Sequence, residues 1–426
     1  MRAVHEDRPA VFVLGPPRFV GPLGVIRSLR PFGARVYVLN TREWSLGRAS
    51  RFCAGAFSVG SEGRPVGSDD AILEQLHAVS RKLGTGAILL AGSDEWAVFV
   101  AQHSETLAPL FKFPRQPIAL VEGLASKYGL HELARAHGLP TPRIARPAGL
   151  DEATVIADQL TYPVMLKPIL SRPGRQFVSI APNRESLLQQ LREIDDPGNV
   201  LCQEYIPGTD ADVWIFNGYF DAESRCLAAF TGRKLRQHPA HMGLCALGEY
   251  VHNPRVIELT QKFLGEVGYS GIVDIGYRWD RRDGTYKVLD INPRLGGAFR
   301  LFVDANGLDV ARACYLDLTG QPVPPVVPND GRRWVLEAAD LIALKHYRRD
   351  DGLRLSDWLR SFRRLEEGAT FSVRDPLPFA AAMATVLGDT AGGRWRRFKS
   401  QLRRTFVRAS LDSTVDSLEA SNEATE

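Results

Sequence analysis

Apolar residues follow two rhythms along the first 113 positions. Residues 10–14 form an unbroken apolar run, Gly15, Pro16 and Pro17 turn the chain, a helical stretch begins near Gly24, and 35–39 reads as a second strand. Residues 71–83 carry apolar side chains at helical spacing, and 87–91 reads as a buried strand that ends in the polar loop 92–95. Strand and helix in alternation predict a small parallel sheet, so 1–113 is expected to be an α/β domain. Gly15, Gly21 and Gly24 lack the GxGxxG spacing, and this segment reads as a strand-to-helix turn.

The texture changes after Phe113. Pro114 and Pro117 open an amphipathic helix expected over 117–137, stopped by Gly138, Pro140 and Pro142. A strand at 163–167, a loop at 168–175, a strand at 177–180, a helix at 184–194 and a strand at 200–205 make a small α+β unit. Strands at 212–216 and 228–233, a helix at 254–267 and a hairpin of 271–279 with 286–292 follow, with Asp283 and Gly284 in the hairpin turn. The tract 321–330, with four prolines, reads as a linker.

Composition narrows the class. The 426 residues are 44% hydrophobic, and 53 Lys+Arg against 49 Asp+Glu leave a formal charge of +4. This describes a globular protein of two or three domains without a nucleic-acid field. No apolar stretch reaches the roughly 18 residues of a membrane span. The charged residues His5, Glu6, Asp7 and Arg8 precede the first strand, and the five cysteines are odd in number and scattered, so a cytoplasmic, reduced protein is expected. Nine of the 53 basic residues are lysines, which gives weight to a lysine in a motif-like place.

Three clusters carry chemistry. Asp290, Ile291, Asn292, Pro293 and Arg294 close a strand ahead of Gly296 and Gly297. Positions i and i+2 of a strand share a face, so the Asp290 carboxylate and Asn292 amide project together. Asp274, on the partner strand, adds a second carboxylate if the register allows. Such hard oxygens suit Mg²⁺, although the same residue types also simply end strands. In the second cluster Lys167 ends the apolar run Val164, Met165, Leu166, where its stem can be buried while its ammonium emerges. The loop beyond it, with Ser171, Arg172, Gly174 and Arg175, can wrap phosphate oxygens with backbone N–H groups; a surface lysine beside a turn gives the same pattern. The third cluster is Gln203, Glu204, Tyr205, Ile206, Pro207 and Gly208 with Asp210 and Asp212 behind it, a strand edge able to bond an adenine and ribose hydroxyls.

In this order, with Lys127 about 40 residues before Lys167, the clusters resemble the ATP-grasp superfamily over roughly 114–319. The segment before them is similar to the pre-ATP-grasp domain. Gly232 through Gln237, and the stretch from "LSDWLRSF" to "DPLP", look most like carboxylate-amine ligases. The resemblance implies a two-lobed ATP-grasp domain over 114–320 with ATP between the lobes and a small lobe at about 143–206. A C-terminal extension at 321–410 and an acidic tail at 411–426, expected to be disordered, would follow.

By the same resemblance Lys127 and Lys167 would hold the phosphates, and the loop with Ser171 and Gly174 would close over the γ-phosphate. Glu204, with the backbone of Tyr205 and Ile206, would meet the adenine. Asp212 would meet the ribose, with Asp210 as the alternative. Asp274, Asp290 and Asn292 would bind Mg²⁺, or Mn²⁺ in its place. Arg294 would clamp the transferred phosphate, backbone amides at Gly296 and Gly297 would approach the substrate carboxylate, and Arg233 and Lys234 would reach phosphates or substrate. The sequence departs from the family pattern at bulky Arg172 and Arg175 and at Asp290, where Glu is commoner.

The implied reaction is ATP-dependent joining of a small-molecule carboxylate to an amine through an acyl phosphate, the substrate being an amino acid or its conjugate. A silent nucleotide-binding regulator and a phosphotransferase without amide formation are the alternatives, and a homodimer is allowed. Residues His238, His241 and Cys245 have an HxxHxxxC spacing but lack a fourth zinc ligand nearby, and a loop near the cleft is preferred. Residues 394–408 hold seven bases and no acid with aromatics on one helical face. Docking on the protein's own body is preferred there over peripheral membrane contact.

Overall fold

Parity along β1 (Val11–Leu14) decides how the N-terminal domain is layered. Val11 and Val13 face a core shared with Val25, Ile26 and Leu29 of the helix Gly21–Leu29. Phe12 and Leu14 face a second core, filled by Ile72, Leu76 and Val79 of Asp69–Leu83 and by Trp96 and Phe99 of Asp94–Gln102. A strand with helices on both faces must be apolar at every position, as residues 10–14 are. In this computed structural model, which describes residues 8–40, 45–58, 69–169, 178–194 and 196–391, β1 pairs in parallel with β2 (Val36–Asn40), which carries β3 (Gly55–Ser58). On its other side β1 pairs with β4 (Ala87–Ala91), which carries β5 (Phe111–Lys112). The order β3-β2-β1-β4-β5 places a topological switch between β1 and β4.

The expected helix at 117–137 is two helices, Ile118–Ala125 and Lys127–Ala136. Ser126 is extended between them (ψ 128°), and its hydroxyl accepts from Gly129 N at 3.3 Å. A capping serine competes with helix continuation. The two helices also meet at glycine: a Cβ on Gly129 would lie 2.7 Å from the Gly123 carbonyl oxygen. The break makes Lys127 the first residue of the second helix.

A four-stranded antiparallel sheet follows, in the order β6 (Ile144–Ala145), β9 (Val200–Glu204), β7 (Val164–Pro168), β8 (Ser179–Ala181). Val164, Leu166 and Cys202 pack on Leu187, Leu188 and Leu191 of Arg184–Arg192, a core of its own. The larger sheet runs β14 (Thr285–Asn292), β13 (Gly271–Asp280), β10 (Val213–Phe220), β11 (Cys226–His238), β12 (Leu244–Tyr250), β15 (Arg333–Val335), β16 (Leu365–Gly368). The hairpin β13/β14 is as expected; β12, β15 and β16 were not anticipated. One face packs Phe216, Val273 and Ile275 on the helices Lys127–Ala136 and Pro254–Glu266, and the other packs Tyr219, Phe230 and Tyr250 with Phe299 and Phe302 on the N-terminal domain. Among the described residues no helix is long and apolar enough to cross a membrane. Residues 394–408 and 411–426 lie outside them.

Candidate active site

Register in the larger sheet gathers the acidic groups. Asp274 of β13 stands opposite Asn292 of β14 and Asn217 of β10, and Gly276 stands opposite Asp290. Opposite residues share a face, so Asn217, Asp274, Asp290 and Asn292 belong to one patch. Arg278, two further along β13, shares it, as does Lys234, four along β11 from the Asn217 partner Phe230.

Burial, reinforced by the neighbouring Asp290 and opposed by Arg294, pushes the Asp274 carboxyl up to about 6. Asn217 is fully buried; its amide nitrogen donates to Asp274 Oδ1 at 3.3 Å, while its own Oδ1 finds no partner among the described residues. Two carboxylates in mutual repulsion beside an orphaned amide oxygen fit a hard divalent cation. Asn292 stands differently from expectation. Its Oδ1 accepts from Arg294 Nη2 at 2.9 Å and its Nδ2 donates to Asp290 Oδ2 at 3.1 Å, so its oxygen is turned from the carboxylates. Among the described residues no group of three or more His, Cys, Asp or Glu side chains converges as a metal site.

The cations face this patch from separate elements. Lys167, at the end of β7 in the smaller sheet, is brought down to about 8 by burial, with Lys127, Arg278 and Lys234 adding to the shift and Asp290 opposing it. Lys127, first in its helix, is lowered by burial and held up by Asp290 and Asp94. Lys234 Nζ donates to the Gly243 carbonyl at 2.8 Å. Arg294 is held by Asp94 Oδ1 (Nε, 3.1 Å), the Leu295 carbonyl (Nη1, 3.1 Å) and Asn292.

Several expected residues stand elsewhere. Arg233 neighbours Lys234 on a strand and therefore points to the opposite face, where Glu249 Oε2 accepts from it at 2.8 Å and Arg333 shares the same carboxylate. It does not join the patch. Asp212 is buried as a cap, accepting from Thr209 N at 2.8 Å and pairing with Arg281 at 3.1 Å. Asp210 accepts from Gln237 Nε2 at 2.8 Å, from Tyr347 and from His241. Both acids serve protein partners. Glu204 pairs with Arg282 at 2.7 Å and accepts from Arg143 N at 3.1 Å; Tyr205 and Ile206 follow it at the strand edge, Ile206 buried. Gly296 packs against Asp274, since a Cβ there would lie 2.5 Å from its Cγ; Gly297 lies against Phe19. Ser171, Gly174 and their loop lie outside the described residues. His238 ends β11, His241 pairs with Asp210 and Asp351, and Cys245 is a buried residue of β12, its thiol pushed up to about 12 by burial.

Sequence reasoning missed Asn217, Gly276, Arg278 and Asp94. Asn217 interrupts an otherwise apolar strand, VWIFNGYF, and that polar break was the available signal. Asp94 sits in the polar loop noted at the end of β4, with nothing local to tie it to Arg294, 200 residues away.

No family model matches the chain. A D-aspartate ligase from Enterococcus faecium is 28% identical over 243 residues, 53% of this chain and 57% of that protein. The carbamoyl phosphate synthase large chain from Corynebacterium glutamicum is 24% identical over 244 residues, 52% of this chain and 21% of that one. The chain thus spans a little over half the length of the first relative and about a fifth of the second. Of solved structures, an L-amino acid ligase from Bacillus licheniformis superposes with a TM-score of 0.57 at 14% identity, over 75% of this chain and 78% of that one. An N5-carboxyaminoimidazole ribonucleotide synthetase in its ADP complex gives 0.60 at 11% identity, over 78% and 82%. These likenesses establish the fold.

Proposed function

We propose that this chain, which has the ATP-grasp fold, is an ATP-dependent carboxylate-amine ligase that works through an acyl phosphate and releases ADP and phosphate. The observation that carries the reading is the convergence of Lys167 and Lys127, on separate elements, on Asp290, and of Arg294 and Lys234 on the neighbouring Asp274. Cations converging on one side and metal-binding oxygens on the other are what a nucleotide triphosphate chelating Mg²⁺ requires. The D-aspartate ligase and L-amino acid ligase among the relatives support an amino acid or its conjugate as the acid or amine.

A carboxylate is a poor electrophile, so its activation needs the γ-phosphoryl group of ATP. Lys127 and Lys167 are assigned to the phosphate oxygens, Lys234 and Arg278 to the side of the same field nearer β11 and β13, and Arg294 to the phosphoryl group in transfer. Glu204, Tyr205 and Ile206 are assigned to the adenine edge. Asp274 and Asp290 are assigned to Mg²⁺, which when bound would neutralise charge on the phosphates; Asn292 joins them only by turning its amide. The side chains' part is to hold donor and acceptor oxygens in line and to spread the developing charge.

ATP with Mg²⁺ supplied across a matrix of amino acids as acids and amines, with ADP, AMP and phosphate measured, tests the reading. ADP and phosphate formed only when one acid and one amine are both present supports a ligase and names its substrates. AMP as the product, or ATP binding without turnover for any pair, overturns it.

A further inference from the structure

We infer that Asp94 of the N-terminal domain is a positioning residue for Arg294, so that the phosphoryl-transfer site is completed across the domain boundary. The inference rests on the ligase reading for the role of Arg294 and goes beyond it in assigning Asp94.

Among the described residues Arg294 has three acceptors, of which Asp94 alone is charged. The other two, the carbonyl of Leu295 and the amide of Asn292, move with the same segment as Arg294 and cannot by themselves anchor it against the rest of the protein. Asp94 can. It is the first residue of the helix Asp94–Gln102, whose cap is Ser93, bonded to Trp96 N, and whose Trp96 and Phe99 are buried in the N-terminal core. The backbone is fastened at the same place, because Leu295 N donates to the carbonyl of Ala91, the last residue of β4, at 3.1 Å. The segment after β14 is therefore pinned to the end of β4, and the guanidinium is aimed by the acid three residues further on.

The need for such a holder is physical. A cavity of about 60 Å³ adjoins Arg294, lined also by Gln116, Tyr269 and Cys314, and both amide atoms of Gln116 are buried there without partners among the described residues. Without the charge of Asp94, the guanidinium has space to turn into and an unpaired amide oxygen along the same wall. The pair is not a sealed structural bridge. The Asp94 side chain is 40% exposed, and ion pairs of that exposure contribute little to stability. Loss of its charge is expected to act on geometry, where displacement by about an ångström costs a large factor in rate.

The test uses the full chain with ADP, Mg²⁺ and aluminium fluoride, which mimics a phosphoryl group in transfer and needs no acid or amine. Isothermal titration should show the wild type binding ADP at least about tenfold tighter when aluminium fluoride is present. Asp94→Asn should lose most of that gain while affinity for ADP alone changes less than about twofold, and Asp94→Glu should recover part of it. Arg294→Gln should lose the gain as well, and the double variant should lose no more than Arg294→Gln alone, since a residue acting through another adds nothing once that one is gone. A full gain in Asp94→Asn, or losses that multiply in the double variant, overturns the inference. A wild type that binds ADP but gains nothing from aluminium fluoride overturns it too, through Arg294. A wild type that fails to bind ADP strikes the nucleotide reading itself and the inference with it.

Discussion

The Asp290 carboxylate lies over Gly276, its partner across the β13/β14 hairpin: a Cβ on residue 276 would fall 2.4 Å from Asp290 Oδ1. That distance is closer than packing allows, so any side chain there displaces the carboxylate. Gly276→Ala is expected to leave the melting temperature within a few degrees of wild type and to lower ADP release about tenfold or more. Wild-type turnover in a folded Gly276→Ala would remove Asp290 from the site. Asp290→Ala itself should abolish turnover with the fold intact, as circular dichroism would show.

Lys167 should set a pH dependence. Its ammonium is held near 8 rather than 10.5, chiefly by burial. Between those values the unfolded chain binds the proton that the folded chain has released, so stability rises with pH through that window; below about 8 the folded chain carries the buried charge at a cost. Lys167→Met is expected to raise the melting temperature of the ligand-free protein at pH 7, an advantage that fades towards pH 10, and to lose the stabilisation that Mg-ATP gives the wild type. Wild-type affinity for Mg-ATP should fall as pH passes 8, when the amine becomes neutral. An unchanged ATP-induced thermal shift in Lys167→Met would contradict the assignment.

Ser126 couples stability to binding. Ser126→Ala removes the cap on the helix that starts at Lys127 and should cost about 1 kcal/mol in urea unfolding. Because Lys127 is the next residue, ATP affinity should weaken severalfold as well. Ser126→Asp, which keeps an accepting oxygen, should restore both. Recovery of stability without recovery of affinity would mean that Lys127 does not depend on the helix start.

A buried pair ties the C-terminal segment to the larger sheet. Arg236 of β11 donates to Asp340 of the helix Glu337–Asp350, with side chains 5% and 1% exposed, and Trp358 Nε1 donates to the same carboxylate at 2.8 Å. Asp340→Ala leaves a buried guanidinium unpaired and should cost about 3–5 kcal/mol in urea unfolding, while Arg236→Met with Asp340→Leu should recover most of it. A loss under 1 kcal/mol in the single variant would show that the helix is held by other contacts.

Truncation before Arg394 should leave catalysis in solution unchanged if the basic stretch only localises the protein. Turnover of the truncated chain, compared with the full chain at equal concentration, checks this.

Much of the site could be read along the chain because strands have a period of two. That period alone puts Asp290 and Asn292 on one face, and an apolar run ending in lysine alone predicts Lys167 at a strand end, as found in β7. The same period separates Arg233 from Lys234, whose side chains leave a strand on opposite faces, so the two cannot serve one site together. The helix break at Ser126 was equally local, a serine with a glycine three residues on, but helical periodicity masked it because both halves bury apolar residues on the same core.

What the linear order leaves open is which strands meet. The residue types and their alternation determined an α/β beginning, a small α+β unit, the final hairpin and the identity of the charged groups, because these follow from neighbours within a few positions. Register between β10 and β13 brought Asn217 to Asp274, and packing of the N-terminal domain on the segment after β14 brought Asp94 to Arg294. Tertiary contacts also assigned Asp210 and Asp212 to protein partners. Such pairings depend on the burial of whole faces summed over distant segments, a quantity that no local window of sequence contains.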